Sequence, residues 1–168
     1  MGKAPGKDWK LDGELMTRRI CRLAIAIAIG VFWSNAATAQ SSKDYAMMGK
    51  MAWDAFGCSS LASVAEDAKE QSRLLTFGYE QGKKFLHALA ANKIDQSDRS
   101  KIVPWGFLAV AQGPTTDFIL GRAFEFAQND ALENIFGADG KLHTKERQKD
   151  IAKDRQQKRN CAIIGRGR

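Results

Sequence analysis

The sequence predicts an all-α fold, a small disulfide-stapled helical bundle of four to five helices after an N-terminal signal peptide. Three observations point there. Apolar residues from Tyr45 to Phe136 recur at steps of three and four, the spacing of a helix face, while strand signals are scarce. A basic, then apolar, then small-residue segment stands at the front. Two cysteines, Cys58 and Cys161, remain behind it, one near each end of the remaining chain. The composition agrees: 168 residues, 44% hydrophobic and 27% charged, suit about one domain, and three prolines with 9% aromatics do not suit a disordered or collagen-like chain.

The export signal is read from Arg18, Arg19 and Arg22, followed by the apolar run from Leu23 to Trp33 and by Ala37-Thr38-Ala39. Eleven apolar residues are about half of the roughly 20 that cross a bilayer as a helix. Small-x-small then predicts cleavage between Ala39 and Gln40. Met16 is the expected true start, and residues 1–15 are set aside as an extension. The Arg18-Arg19 pair raises twin-arginine export, but Arg22 stands where that signal wants an apolar residue, so general secretion fits better. Cys21 precedes the apolar run without a lipobox and is not a lipidation site. Residues 1–39 are thus extension plus signal, and 40–168 are a single domain. In an oxidising compartment Cys58 and Cys161 read as a disulfide, with a free-thiol nucleophile as the rival.

The helices follow in order. From Tyr45, the positions Met48, Ala52, Ala55 and Phe56 mark one face of a first helix running past Cys58 to Leu61 or Val64. A second covers Asp67 to Ala91, its inner face passing through Ala68, Ser72, Leu75, Gly78/Tyr79, Gly82, Phe85/Leu86 and Leu89. The polar stretch 95–100 reads as a connection. The short apolar run from Val103 to Ala111 is taken as a helix, because Pro104 suits a first turn and no strand partner is near. Gly113-Pro114 opens a helix to Phe136, with Pro114 first and Asp117 in the first turn. Apolar over most of its circumference, it is the expected central helix, closed by the turn Gly137-Ala-Asp-Gly140. The last helix, Thr144 to Asn160, has Ile151 as its one large aliphatic residue. Burial alone does not hold such a helix to a core, and the disulfide is expected to supply the tie.

Charge is uneven. Residues 40–140 carry 10 basic and 13 acidic groups, whereas 141–168 carry 10 basic and 3 acidic. The basic C-terminal helix and tail, through Lys149, Lys153, Arg155, Lys158 and Arg159, is therefore one candidate partner-binding surface. It suits an acidic protein or an anionic envelope surface. Export and the lack of interleaved aromatics argue against nucleic acid, and the lack of an apolar face argues against lying in a membrane. A solvated helix is the plainer account, with Asp154 placed to pair with Lys158. Gly78 and Gly82 form a second feature. Glycine costs a helix about 1 kcal/mol relative to alanine, so two on one face predict close approach of another helix, with Gly121 or Gly113 facing them. The alternative to this packing reading is a polar groove lined by Tyr79, Glu80, Lys83 and His87.

Function classes can be narrowed. Two histidines far apart and no CxxC pair leave no basis for a His/Cys metal site, and no cofactor motif is present; Gly82-Lys83-Lys84 lacks the phosphate-loop frame. Ser59 and Ser60 lack a nucleophile-elbow frame. No carboxylate pair is placed by a recognisable motif, so no catalytic residue is assigned.

Trp53-Asp-Ala-Phe-Gly-Cys58-Ser-Ser-Leu-Ala62, Phe77-Gly-Tyr-Glu-Gln-Gly82-Lys-Lys-Phe85, Gly113-Pro-Thr-Thr-Asp-Phe-Ile-Leu-Gly-Arg122 and Asn160-Cys161 together resemble a group of small exported proteins of Gram-negative bacteria. The resemblance implies export, a cysteine pair near the two ends and no catalytic residue. Gly78-Tyr79 and Gly82 are also similar to a pattern in small periplasmic immunity proteins that neutralise injected cell-wall amidases. The expected function is a periplasmic or secreted non-catalytic binding protein acting by contact with another envelope or secreted protein. The alternatives are a cell-wall-directed enzyme using Glu80 or His87, and an acid-triggered chaperone.

Overall fold

The computed structural model describes residues 40–167 and, apart from them, Gly2; the expected signal and its Ala39–Gln40 cleavage point lie, but for Gln40, outside the described residues. Six helices follow one another: α1 Ser42–Val64, α2 Ala68–Ala90, α3 Gln96–Ile102, α4 Trp105–Val110, α5 Thr116–Leu132 and α6 Lys145–Lys158. A two-stranded antiparallel hairpin, β1 Gly137–Ala138 with β2 Lys141–Leu142, separates α5 from α6, and a 3₁₀ turn, Cys161–Ile163, follows α6. The all-α expectation holds.

The central helix is α1, which packs against α2, α3, α5 and α6; the expectation that the 114–136 helix would be central is corrected. The reason lies in side-chain size. Buried positions of α1 include Ala46, Gly49, Ala52, Ala55, Gly57, Ser59, Ser60 and Ala62, and small residues let neighbours approach on several sides. Helix α5 has an exposed polar side with Asp117, Glu125, Asn129 and Asp130, and leaves Phe118 and Phe126 about half exposed. Two polar residues inside α1 are satisfied locally, the Ser59 hydroxyl donating to Gln71 O (2.9 Å) and that of Ser60 to Phe56 O (3.1 Å). An unpaired hydroxyl there would cost about 1–3 kcal/mol.

Helix boundaries follow from caps. Ser41 and Asp44 form a reciprocal capping box that starts α1 three residues before Tyr45. Asp67 caps α2 through Glu70 N (3.0 Å). Thr115, not Pro114, starts α5, its hydroxyl accepting from Phe118 N (3.1 Å). That helix ends at Leu132 rather than Phe136, because Glu133 leaves the helical region (ψ 126°) and Asn134 is left-handed (φ 58°), a turn closed by Ile135 N on Leu132 O. The segment 96–102 is a helix rather than a connection. Its fold is dictated from outside: Ser42 Oγ accepts from Asp95 N (2.8 Å) and donates to Asp98 Oδ2 (2.6 Å), pinning the first turn of α3 onto the start of α1.

Two clusters of buried side chains fill the bundle. One gathers Phe56, Phe85, Phe107, Val110 and Leu120 from α1, α2, α4 and α5, with Phe85 and Phe107 edge-to-face at 4.9 Å. The other gathers Leu61, Leu74, Ala131, Ile135 and Ala152 around the Cys58–Cys161 disulfide, whose Cα atoms are 5.6 Å apart. The inner face of α2 enters this second cluster through Leu74, one position from the expected Leu75, which is 40% exposed; Ala68 and Ser72 are exposed as well.

Candidate functional site

The five basic residues proposed for partner contact lie on or at the end of α6, and the chain itself engages four of them. Lys149 Nζ meets Glu66 Oε2 at 2.5 Å. Arg155 donates to Ala131 O, at the end of α5, at 2.8 Å. Lys158 pairs with Asp154 (2.7 Å), the i,i+4 pair expected from sequence. Arg159 reaches Asp130 at 3.1 Å. Lys153 alone is exposed with no ion pair among the described residues. The Lys149 ammonium holds the Glu66 carboxyl below its ordinary range, with the charges of Lys145 and Lys153 adding to the effect. Lys149 ties α6 to the turn between α1 and α2, and Arg155 and Arg159 tie it to the end of α5, while the Lys158 pair stays within α6.

Gly78 and Gly82 face into the bundle, while Tyr79, Glu80 and Lys83 stand at its surface. Gly78 lies against Phe56 and the Ala52 carbonyl, and Gly82 against Leu120 and Ala52, so a methyl group at either position would meet side chains of α1 or α5. The close approach is as expected, but its partners are bulky side chains, while Gly121 faces open space and Gly113 sits under Phe118. Outside this seam, Tyr79 Oη donates to Asp117 Oδ1 (2.6 Å), Lys83 pairs with Glu80 (2.7 Å), and the Lys83 ammonium lies 4.6 Å from the Tyr79 ring centre. The hydrogen bond to Asp117 pushes the Tyr79 hydroxyl above its ordinary value, and Glu80 does the same for Lys83. Three of the four residues thus share a surface network that ties α2 to α5. His87 stands one turn further on, exposed, and lines different depressions.

Those depressions form a feature the sequence analysis missed. Three shallow hollows adjoin around the last turns of α2. The first is lined by Tyr45, Lys84, His87 and Lys93. The second shares His87 with it and continues over Leu86, Leu89, Pro114 and Ile119. The third shares Leu89 and Ala111 with the second and ends at Leu108, Arg99 and Trp105. Trp105, on α4, is 79% exposed. Its neighbour Gly106 lies flat on the Trp53 indole, where any β-carbon would collide, so α4 is held close against α1. A signal was present in the sequence. Val103, Phe107 and Val110 are the buried positions of that run, and their 4- and 3-residue steps put Trp105 on the opposite side.

Among the described residues, no group of three or more His, Cys, Asp or Glu side chains is placed to hold a metal ion, and no helix is long and apolar enough to cross a membrane. Comparisons with protein-family models, curated proteins and solved structures find no match for the chain.

Proposed function

We propose that this protein is exported to the cell envelope and acts there without catalysis, as a helical binding protein of the inhibitor, immunity or envelope-stress type. The observation that carries the reading is the pairing of a cross-linked helical frame with aromatic side chains standing outside it: Trp105, Phe118 and Phe126 are exposed on α4 and α5, while Cys58 and Cys161 close the frame. Tryptophan and phenylalanine are enriched in protein interfaces, and rigid anchors lose little entropy on binding. Export is supported by the basic–apolar–Ala-Thr-Ala segment and by the cysteine pair, since disulfides persist in oxidising compartments. The resemblance to small exported proteins points the same way.

Two measurements test it. Intact mass of the protein recovered from the envelope fraction should give a chain starting at Gln40 that takes up two alkyl groups only after reduction. A photo-crosslinking residue at position 105 or 118 should give a discrete protein adduct in living cells, and one at exposed Lys69 should not. A full-length chain with free thiols removes the export reading. Export without an adduct from any aromatic position removes the binding reading.

A further inference from the structure

The geometry points to a specific class of partner for the hollow face around the end of α2: a polypeptide segment with an apolar centre flanked by acidic residues. This rests on the reading of the protein as a binder and names what that face would bind.

The charges of the face are one-signed. Lys84 and Lys93 border one end and Arg99 the other, and no Asp or Glu lines any of the three hollows. Elsewhere seven cations pair with carboxylates: Lys50, Arg73, Lys83, Lys149, Lys158, Arg159 and Arg166. Among the described residues no ion pair forms at Lys84, Lys93 or Arg99. Nor are these cations needed to cap α2, whose last carbonyls accept from the backbone N–H groups of Ala91, Asn92 and Lys93. Neither Asp95, four residues before Arg99, nor Asp98, which accepts from Ser42, forms an ion pair with it. Between the two cationic ends the floor is apolar, with Leu86, Leu89, Pro114 and Ile119, and Trp105 stands at the Arg99 end as an anchor. Cations at both ends and an apolar middle specify acid–apolar–acid in the occupant. Such complementarity raises the on-rate and excludes basic partners, while the aromatic anchor supplies affinity.

The test uses the protein as isolated from the producing cell, with its disulfide intact, and two fluorescein-labelled peptides. Both have a Leu-Phe-Leu centre, flanked by Glu-Glu in one and Lys-Lys in the other. Fluorescence anisotropy should show binding of the Glu peptide that weakens as salt rises, and no binding of the Lys peptide. Trp105→Ala should weaken it about tenfold, and the double variant Lys84→Glu/Lys93→Glu by at least as much. Lys69→Glu, the same charge change at the opposite, exposed end of α2, should leave it unaltered. All these positions are exposed, so unchanged thermal unfolding will certify the variants. Equal binding of the two peptides, preference for the Lys peptide, no binding, or loss through Lys69→Glu would each overturn the assignment. Binding to phosphatidylglycerol vesicles without binding to the Glu peptide would overturn it in favour of a lipid surface. A crosslinked partner at position 105 combined with a failed peptide test would leave the binder reading standing and remove only this one.

Discussion

Around Phe56, Phe85 and Phe107 the bundle is held by large apolar side chains, whereas around Cys58 and Cys161 it is held by a covalent bond and a ring of cationic hydrogen bonds. The first region has α1, α2, α4 and α5 to draw on, each contributing an aromatic or branched residue. The second must hold α6, which buries only Ala152 completely. Complete burial of one alanine stabilises a helix by well under what a Leu or Phe contributes, about 1.5–3 kcal/mol. Arg155 on the Ala131 carbonyl, Arg73 on the Ile164 carbonyl (2.6 Å) and the disulfide make up the difference. The comparison teaches that two helices of one small domain can be held by different physics, and that they should therefore fail separately.

Removing the disulfide is the strongest way to break the comparison. The bond spans 103 positions, and for a loop of about 100 residues the chain-entropy model gives a loss of about 5 kcal/mol. Under reduction, or in Cys161→Ala, hydrogen exchange should accelerate first in residues 145–167, with α1, α2 and α5 still protected. Simultaneous loss of protection across all helices would show that the regions are one cooperative unit. Phe85→Ala should cost slightly less, about 4 kcal/mol, because Phe85 is fully buried. Its signature should be the reverse: a lower denaturant midpoint for the whole domain, with no selective exposure of α6.

Glycines sharpen the picture within the first region. Gly78→Ala would place a β-carbon 2.8 Å from the Phe56 ring and 3.2 Å from the Ala52 carbonyl oxygen. Overpacking of this kind costs about 1–3 kcal/mol, and urea titration should show it. Gly121→Ala meets nothing within 4 Å, so removing glycine from an exposed helix interior should stabilise by about 0.5–1 kcal/mol. A stabilising Gly78→Ala would mean that the α1–α2 seam is looser than its geometry.

How far the sequence carried these conclusions depends on what each residue reports. Met48, Ala52, Ala55 and Phe56 announced the buried face of α1, and Gly78, Gly82 and Phe85 that of α2, because core packing writes itself as a 3.6-residue period. The disulfide followed from two remaining cysteines. The choice of central helix went wrong because alanine, glycine and serine carry little hydrophobic signal, yet fit the most crowded position. Helix α3 was illegible because its start depends on Ser42, more than 50 positions away in sequence. The basic C-terminal segment showed its charge and the Asp154–Lys158 pair, but not its distant carboxylate and carbonyl partners, which come from the α1–α2 turn, α2 and α5. The hollow face is built from residues of α1, α2, α3, α4 and α5 and the turns between them, so only the exposed side of Trp105 was written locally.

The smallest expected effect concerns the far end of the stapled region. Glu70 receives both Arg73 (2.6 Å) and Arg166 (3.3 Å), and Arg73 also donates to the Ile164 carbonyl, so one carboxylate organises the tail after Cys161. The hydrogen bond from Arg73, against a smaller opposing effect of burial, holds the Glu70 carboxyl below its ordinary value of 4.5. A lowered folded-state value means that the unfolded chain takes up the proton first as pH falls. The stabilisation is therefore complete above the ordinary value and fades as pH drops through the folded one. Glu70→Gln should lose about 1 kcal/mol or less at neutral pH, since Arg166 is largely exposed. The gap between variant and wild type should close under acid. Thermal melts of both proteins from neutral pH down to pH values below the carboxylate range will read this directly. A gap that persists at the lowest pH would show that Glu70 acts through shape and packing, and that the tail is held by the disulfide and the Arg73–Ile164 bond alone.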